Sequence, residues 1–291
     1  MSATTAAIRV PRARRHNRAA LGHAGPMTYL VAFVLVSICI GPVLYIIFGG
    51  FRTNSQITTD PSGLPEPWQI VNYVEVLKSE VFWRQMGNSA ISAVATTIGV
   101  VVLGVMASYV LARYEFAGRG AMYSLFAAGL MFPMTVAITP LYIMIRSLGL
   151  MNNLAGIILP QIAFGLPTTI IILVPFLRAI PKELEEAASI DGASRLGFFF
   201  RMVVPLSVPG VVTTGILAFI ASWNSYMLPL FILGNEMSYT LPLGVQAFAS
   251  QYSVDTARVL AFTSLSMIPA LLFFTMFERR IVGGLTGAIK G

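Results

Sequence analysis

Charged side chains are scarce in this chain: Asp, Glu, Lys and Arg make up 11% of its 291 residues, whereas hydrophobic residues make up 56%. A soluble globular domain carries about 25% charged residues, so this composition excludes an ordinary soluble fold. Six long intervals contain no Asp, Glu, Lys, Arg or His, namely 27–51, 85–112, 120–145, 147–177, 202–235 and 259–277. A spanning helix needs about 20 mostly apolar residues, so the sequence predicts an all-α membrane protein with six transmembrane helices.

A seventh uncharged interval, 237–254, has a different character. It contains three serines, a threonine and two glutamines, and a proline and a glycine lie near its start. So many polar groups do not suit a lipid-exposed helix. We expect this interval to form a surface loop or a helix that lies on the bilayer.

The predicted spans lack ionisable groups at membrane depth, which proton-coupled pumps and voltage sensors need. None of the three lysines, Lys78, Lys182 and Lys290, lies in a phosphate-binding loop of the G-x-x-x-x-G-K-[ST] type. His16 and His23 belong to the basic N-terminal tail, far from any acidic cluster, so we expect no metal site. Any energy for uphill transport therefore has to enter from outside the bilayer.

Nucleophilic residues are equally sparse or isolated. The single cysteine, Cys39, lies in the first predicted span, so it has no intrachain disulfide partner. Ser222 has no base within its apolar stretch, and we expect its hydroxyl to bond to the helix backbone. The sequence therefore predicts a chain that is not an enzyme and binds no cofactor of its own.

Lysine and arginine are distributed unevenly between the predicted loops. If both termini are cytoplasmic, fourteen of these residues lie on the cytoplasmic side and five on the outside. Positive charge marks the cytoplasmic side, so the net charge of +7 reports topology and not nucleic-acid binding. The predicted parts are a basic cytoplasmic tail (1–26), a transmembrane domain (27–280) with external loops at 52–84 and 236–258, and a cytoplasmic tail (281–291). The first external loop also carries a short amphipathic piece near 71–77.

Four of the twelve acidic residues lie close together in "ELEEAASIDGASRLGFFFRMVVPLSVPG", residues 183–210. We call residues 178–204 the acidic loop. Proline suits the first position of a helix and carboxylates are favoured in its first turns, so a helix is predicted with Pro181 at its first position. Its positions Leu184, Ala187 and Ala188 follow helical spacing, and Asp191 continues the same face.

Gly192 is predicted to end that helix in the left-handed conformation that glycine adopts without penalty. Ser194 can cap a second short helix that carries three phenylalanines, 198–200. Through Pro205 this helix is expected to continue rigidly into the fifth span. Two helices joined by a turn in this way could transmit force to the membrane.

These motifs resemble the EAA loop of permease subunits in bacterial ATP-binding-cassette importers. The resemblance rests on Glu186-Ala187-Ala188, Asp191-Gly192-Ala193-Ser194, the phenylalanines and the prolines 205 and 209. It extends over most of residues 70–291, to Asn88-Ser89, Met131-Phe132-Pro133, Trp223-Asn224, Pro229, Tyr239-Thr240-Leu241, Gly284-Leu285-Thr286 and Lys290-Gly291. Within that family the pattern is similar to the carbohydrate-uptake branch and its smaller, six-span permease of the maltose type.

The resemblance implies a type I importer permease fold in the bacterial plasma membrane, with the EAA helices docked on a cytoplasmic ATPase that binds ATP and Mg²⁺. It implies a second permease subunit, two ATPase subunits and an extracytoplasmic binding protein that delivers sugar to the loop near 236–256. The coupling residues that it implies are Glu186, Ala187, Ala188, Asp191, Gly192, Ala193, Phe199 and Pro205.

The predicted substrate path consists of polar or aromatic residues on otherwise apolar spans, because sugars are bound by hydrogen bonds and aromatic stacking. Its members are Asn88, Thr135, Trp223, Asn224 and Tyr226. Interhelical hydrogen bonds and interfacial aromatic belts remain alternative roles for each of them. Alternatives for the whole chain are a permease for a glycerophosphodiester, polyol or amino sugar, a stand-alone channel or secondary carrier, and a membrane scaffold.

Overall fold

The computed structural model describes residues 25–251 and 255–289, and within these ranges all regular secondary structure is helical. The predicted N-terminal tail, residues 1–26, lies outside the described residues except for its last two positions. The chain divides into two compact units, residues 1–45 and 46–291. The helices up to the acidic loop are α1 (Pro26–Gly50), α2 (Asn54–Thr59), α3 (Ile70–Lys78), α4 (Glu80–Arg113), α5 (Arg119–Gly129), α6 (Met134–Ser147) and α7 (Ala155–Arg178).

The helices that follow are mostly shorter, except for the last. They are α8 (Glu183–Ile190), α9 (Arg195–Phe198), α10 (Val204–Leu206), α11 (Val208–Trp223), α12 (Met227–Ile232), α13 (Leu241–Gln251) and α14 (Thr256–Ile289). A π-helical turn, Phe199–Val203, joins α9 to α10, and a 3₁₀ turn, Glu236–Ser238, precedes α13.

The described residues contain six candidate membrane spans when the two bent helix pairs are each counted as one span. Four of their helical segments are long and apolar enough to cross a bilayer alone: α1, α4, α7 and residues 256–277 of α14. The pairs α5–α6 and α9–α11 also qualify, but they bend by 100° and 74°. In the described part of the interval 237–254 the longest helix is the 11-residue α13, which is about 16 Å long and too short to span.

The third and fifth spans are strongly bent. Between α5 and α6 the chain turns before Pro133, which lies at the N-cap position of α6 with φ −73° and ψ 133°. The acidic loop does not continue straight into the fifth span, because the chain bends at Ser207. Pro205 and Pro209 flank this bend, and neither can donate the backbone hydrogen bond that a continuous helix needs there. In the fifth span, α11 ends at Trp223.

The last helix is longer than the sequence indicated. It continues from Thr256 to Ile289, through most of the segment assigned to a C-terminal tail. Residues 290 and 291 lie outside the described residues.

The first external loop is tied together by side chains that bond to its backbone. Arg52 is buried, and its guanidinium donates to the carbonyls of Pro61 (3.0 Å), Gln56 (2.6 Å) and Asp60. The predicted amphipathic piece near 71–77 is confirmed as α3. The loop therefore has a defined fold although it is too short to bury a core.

The core lies along α4, which packs on α7 and α11. One apolar cluster joins the ends of α4 and α7 to Phe198, Phe199 and Val203 of the acidic loop. Small residues let α4 and α7 approach closely: a methyl group added at Gly104 would lie 2.4 Å from the Thr169 methyl. Close contact between small residues is typical of membrane helix pairs.

Candidate coupling loop and membrane cavity

The acidic loop forms the helix and glycine turn that its sequence predicts. Gly192 has φ +76°, so its left-handed conformation is confirmed. Its amide donates to the Ser189 carbonyl (3.1 Å), and the amide of Ala193 donates to the Ala188 carbonyl (2.9 Å). This is the Schellman arrangement, which satisfies the last carbonyls of α8. The loop is therefore held at a fixed angle by its own backbone.

The cap predicted for the second helix is also confirmed. The Ser194 hydroxyl accepts a hydrogen bond from the Gly197 amide at 3.1 Å. The following π-helical turn inserts an extra residue into the helix, a feature that often occurs at functional sites. Phe198 and Phe199 are buried, whereas Phe200 is exposed.

The inner face of α8 consists of Leu184 and Ala188, which pack against the apolar cluster at the ends of α4 and α7. The sequence analysis predicted that Ala187 shares this face. In the structure Ala187 lies on a different side of the helix and is exposed. Glu183, Glu186 and Ile190 are exposed on the same side, and Ile190 is 86% exposed. We call Glu183, Glu186, Ala187 and Ile190 the outer face of α8. It combines carboxylates, a small residue and an unusually exposed aliphatic side chain.

The carboxylates of the acidic loop have no ion-pair partner among the described residues. Glu183, Glu186 and Asp191 are exposed and unpaired, and Glu185 is half-buried without a cation nearby. The three first-turn glutamates interact favourably with the positive end of α8. In residues 25–251 and 255–289, no group of three or more His, Cys, Asp or Glu side chains could hold a metal ion. The outer face thus carries exposed negative charge.

The eight residues predicted to couple to an ATPase occupy different environments. Glu186, Ala187, Asp191, Gly192 and Ala193 are exposed together at the tip of the loop, and Pro205 is exposed farther along. Ala188 and Phe199 face the core instead. The ring of Phe199 lies 4.9 Å from that of Tyr109 on α4, so this residue joins the loop to the membrane helices.

A cavity of about 440 Å³ lies between α4, α7 and α11, with Met134 of α6 at its edge. Its polar centre is Gln161, which is only 7% exposed. The Gln161 Oε1 atom accepts hydrogen bonds from the hydroxyls of Thr96 (3.1 Å) and Ser222 (2.6 Å). One side chain from each of three helices therefore meets at the cavity wall. Ser222 bonds across to another helix and not to its own backbone, contrary to the sequence expectation.

The residues predicted for the substrate path lie elsewhere. Trp223 is buried in an apolar cluster, with its ring 5.7 Å from Phe219. Asn224 is exposed at the end of α11. Asn88 donates to the backbone carbonyls of Met237 and Tyr239, both at 2.9 Å, so its amide holds the segment before α13 against α4.

The remaining two predicted path residues lie near α6 and α12. Thr135 lines a second cavity of about 350 Å³ with Tyr142, Met227 and Phe231. Tyr226 packs against a separate apolar cluster. None of the five predicted path residues lines the larger cavity, whereas Gln161 does. The signal that could have found Gln161 is its carboxamide, an unusual group in an apolar span beside Pro160.

The fold and these sites define a six-span helical membrane protein whose spans are joined to an exposed acidic loop. Residues 100–283 match the family described as "Binding-protein-dependent transport system inner membrane component". The chain belongs to this family and is a transport permease subunit.

Several curated proteins are similar over nearly the whole chain. The diacetylchitobiose uptake system permease protein NgcG of Streptomyces coelicolor is 35% identical over 92% of this chain and 87% of its own length. The trehalose transport system permease protein SugB of Mycobacterium tuberculosis is 36% identical over 91% of this chain and 95% of its own length. The sulfoquinovosyl glycerol transport system permease protein SmoH of Agrobacterium fabrum is 32% identical over 91% of this chain and 94% of its own length.

Among solved structures, a bacterial ABC transporter involved in the import of the acidic polysaccharide alginate has a similar fold. The TM-score is 0.75 at 22% sequence identity, and the match covers 87% of this chain and 94% of that chain. The predicted importer permease fold is thereby confirmed.

Proposed function

We propose that this chain is a permease subunit of an ATP-driven sugar importer, and that the outer face of α8 is its docking surface for a cytoplasmic ATPase. The observation that carries the proposal is the exposure of Ile190 and Ala187 between unpaired carboxylates. An exposed aliphatic side chain rimmed by charged groups fits the apolar centre and polar rim of a protein contact. Basic groups on the ATPase would complement the carboxylates.

The apolar cluster behind α8 provides a route for coupling. Leu184 and Ala188 pack on the cluster that contains Phe199 and the ends of α4 and α7. A displacement of α8 therefore pushes on both helices, because a packed interior transmits strain. From Tyr109 to Thr96 the distance along α4 is about 20 Å, so α4 links the docking surface to the cavity.

We propose the partners that the family resemblance implies. A second permease would complete the translocation path, and two ATPase subunits would bind ATP and Mg²⁺. An extracytoplasmic binding protein would deliver solute near residues 236–258. The excess of lysine and arginine on one side supports cytoplasmic termini in a bacterial plasma membrane. The substrate class is inferred from relatives named for diacetylchitobiose and trehalose uptake.

The test is copurification in detergent, followed by mass spectrometry and an ATPase assay. Ala187→Trp should reduce recovery of the ATPase, because overpacking a docked surface costs about 1–3 kcal/mol, which corresponds to a roughly fivefold to hundredfold loss of affinity. Ala117→Trp is the matched control, since Ala117 is an exposed alanine in the short connection before α5.

We expect wild type and Ala117→Trp to retain an ATPase and a second permease. Equal recovery of the ATPase with both tryptophan variants would refute docking through the outer face of α8. Isolation of the wild-type chain alone, in a form that transports without an ATPase, would support a stand-alone carrier instead.

A further inference from the structure

The amide of Gln161 is incompletely hydrogen bonded. Its Oε1 atom accepts from Thr96 and Ser222, while its Nε2 atom is buried without a partner among the described residues. Hydroxyls can donate or accept, so the amide could equally turn its Nε2 toward them. In either orientation one polar half of the amide has no partner. An unsatisfied buried polar group is destabilising, and each such group needs an explanation.

The two hydroxyls hold Gln161 at the wall of the 440 Å³ cavity, a volume within the usual range for small-molecule sites. Phe164 lines the same cavity and offers an aromatic surface. Thr168 and Ser225 add hydroxyls from α7 and from the segment after α11. The cavity therefore combines an aromatic surface with several neutral polar groups on otherwise apolar walls.

Charge is absent from the cavity wall as far as the described residues form it. A phosphodiester or another ionised solute would be desolvated there without a counter-charge, which is strongly unfavourable. A sugar hydroxyl can donate and accept, so it can satisfy the free half of the Gln161 amide in either orientation. The chemistry of the wall thus favours a neutral, polyhydroxylated solute.

We propose that Gln161, positioned by Thr96 and Ser222, contacts a hydroxyl of a neutral sugar in transit and contributes to solute selection within the membrane. This inference rests on the proposed sugar-importer function. It assigns a solute contact to residues outside the path that the sequence indicated. The opposing possibility is that Gln161 only clamps three helices together.

The experiment uses the purified complex with its binding protein in proteoliposomes. Initial rates of uptake are measured for trehalose, maltose and N,N′-diacetylchitobiose, and then for monodeoxy analogues of the best-transported sugar. The variants are wild type, Gln161→Leu and Thr213→Val. Thr213 is a matched control because it is buried on α11, bonds to its own helix at Pro209 (2.9 Å) and does not line the cavity.

The informative quantity is the ratio of the rate for the parent sugar to the rate for each analogue. Selection by the binding protein is the same for every variant, so it cancels when ratios are compared. In wild type and Thr213→Val the ratio for one analogue should be about threefold to tenfold higher than in Gln161→Leu, the effect of one hydrogen bond. In Gln161→Leu the contact is gone for both solutes, so only the selection by the binding protein remains in its ratio.

Two results would overturn the inference, and they are distinguishable. If Gln161→Leu slows the parent and every analogue by the same factor, Gln161 is a helix clamp and the importer function stands. If wild type transports none of the three sugars, the proposed substrate class fails and the inference fails with it.

Discussion

Asn88 and Gln161 are both carboxamides buried among membrane helices, but their hydrogen bonding differs. Both Nδ2 bonds of Asn88 go to backbone carbonyls of the segment before α13. Gln161 keeps a free polar half beside a cavity. An amide whose donors both bond to the backbone holds structure together, whereas an amide with a free half beside a cavity can bind a solute. This difference separates the two roles although the chemical groups are alike.

Asn88→Leu should loosen the segment before α13. It leaves two backbone carbonyls without donors, and an unsatisfied buried acceptor costs about 1–3 kcal/mol. We expect faster protease cleavage around residues 233–241 and a lower midpoint of thermal unfolding in detergent. Asn153→Leu is the control, because exposed Asn153 only accepts one bond from the Ala155 amide at 2.8 Å. Equal cleavage in both variants would contradict this role of Asn88.

The sequence predicts some residues well and others poorly, for a physical reason. The conformation of Gly192 and the cap at Ser194 depend on neighbours within a few positions, so the local sequence determines both. The environments of Trp223 and Asn88 depend on residues that are distant in the sequence. Asn88, for example, bonds to Met237, which lies 149 positions farther along the chain. A polar residue on an apolar span can face a cavity, a loop or another helix, and its residue type does not distinguish these outcomes.

At the scale of helices, α4 and α7 form the tightest pair, and glycine sets their separation. Gly104 faces Thr169, whose hydroxyl donates to the Gly165 carbonyl at 3.0 Å. That bond fixes the Thr169 side chain, so it cannot rotate away from an added methyl group. The cavity lies between these same helices, and its width therefore depends on how closely they pack.

Gly104→Ala should lower the midpoint of thermal unfolding in detergent, because overpacking costs about 1–3 kcal/mol. Gly87→Ala is a matched control on the same helix, since no atom lies within 4 Å of the position of its added methyl group. Alanine favours helix over glycine, so this control should leave the midpoint unchanged or raise it. A midpoint for Gly104→Ala at or above that of Gly87→Ala would contradict the close-packing role.

The number of membrane spans could be predicted, but the angles of the bends could not. Intervals free of ionisable groups predict six spans because lipid excludes charge from most of a spanning helix. Pro133, Pro205 and Pro209 lie next to the two interruptions, where proline removes a backbone hydrogen bond. The bends of 100° and 74° at these places depend on the packing of neighbouring helices, and a proline alone does not specify an angle.

At the scale of the whole molecule, the acidic loop and the cavity are connected through the same two helices. The loop exposes its outer face and packs its inner face on α4 and α7, which also line the cavity. Force applied at α8 can therefore alter the cavity without any charged group inside the membrane. This arrangement suits a transporter whose energy comes from a separate ATPase.

The most direct measurement is solute accumulation by proteoliposomes that contain the copurified complex, its binding protein and trehalose, maltose or N,N′-diacetylchitobiose. With ATP on the side of the acidic loop, we expect one of these sugars to accumulate above its external concentration. With a non-hydrolysable ATP analogue we expect no accumulation. Equilibration of sugar across the membrane at the same rate with and without ATP would contradict an ATP-driven importer and identify a passive pathway instead.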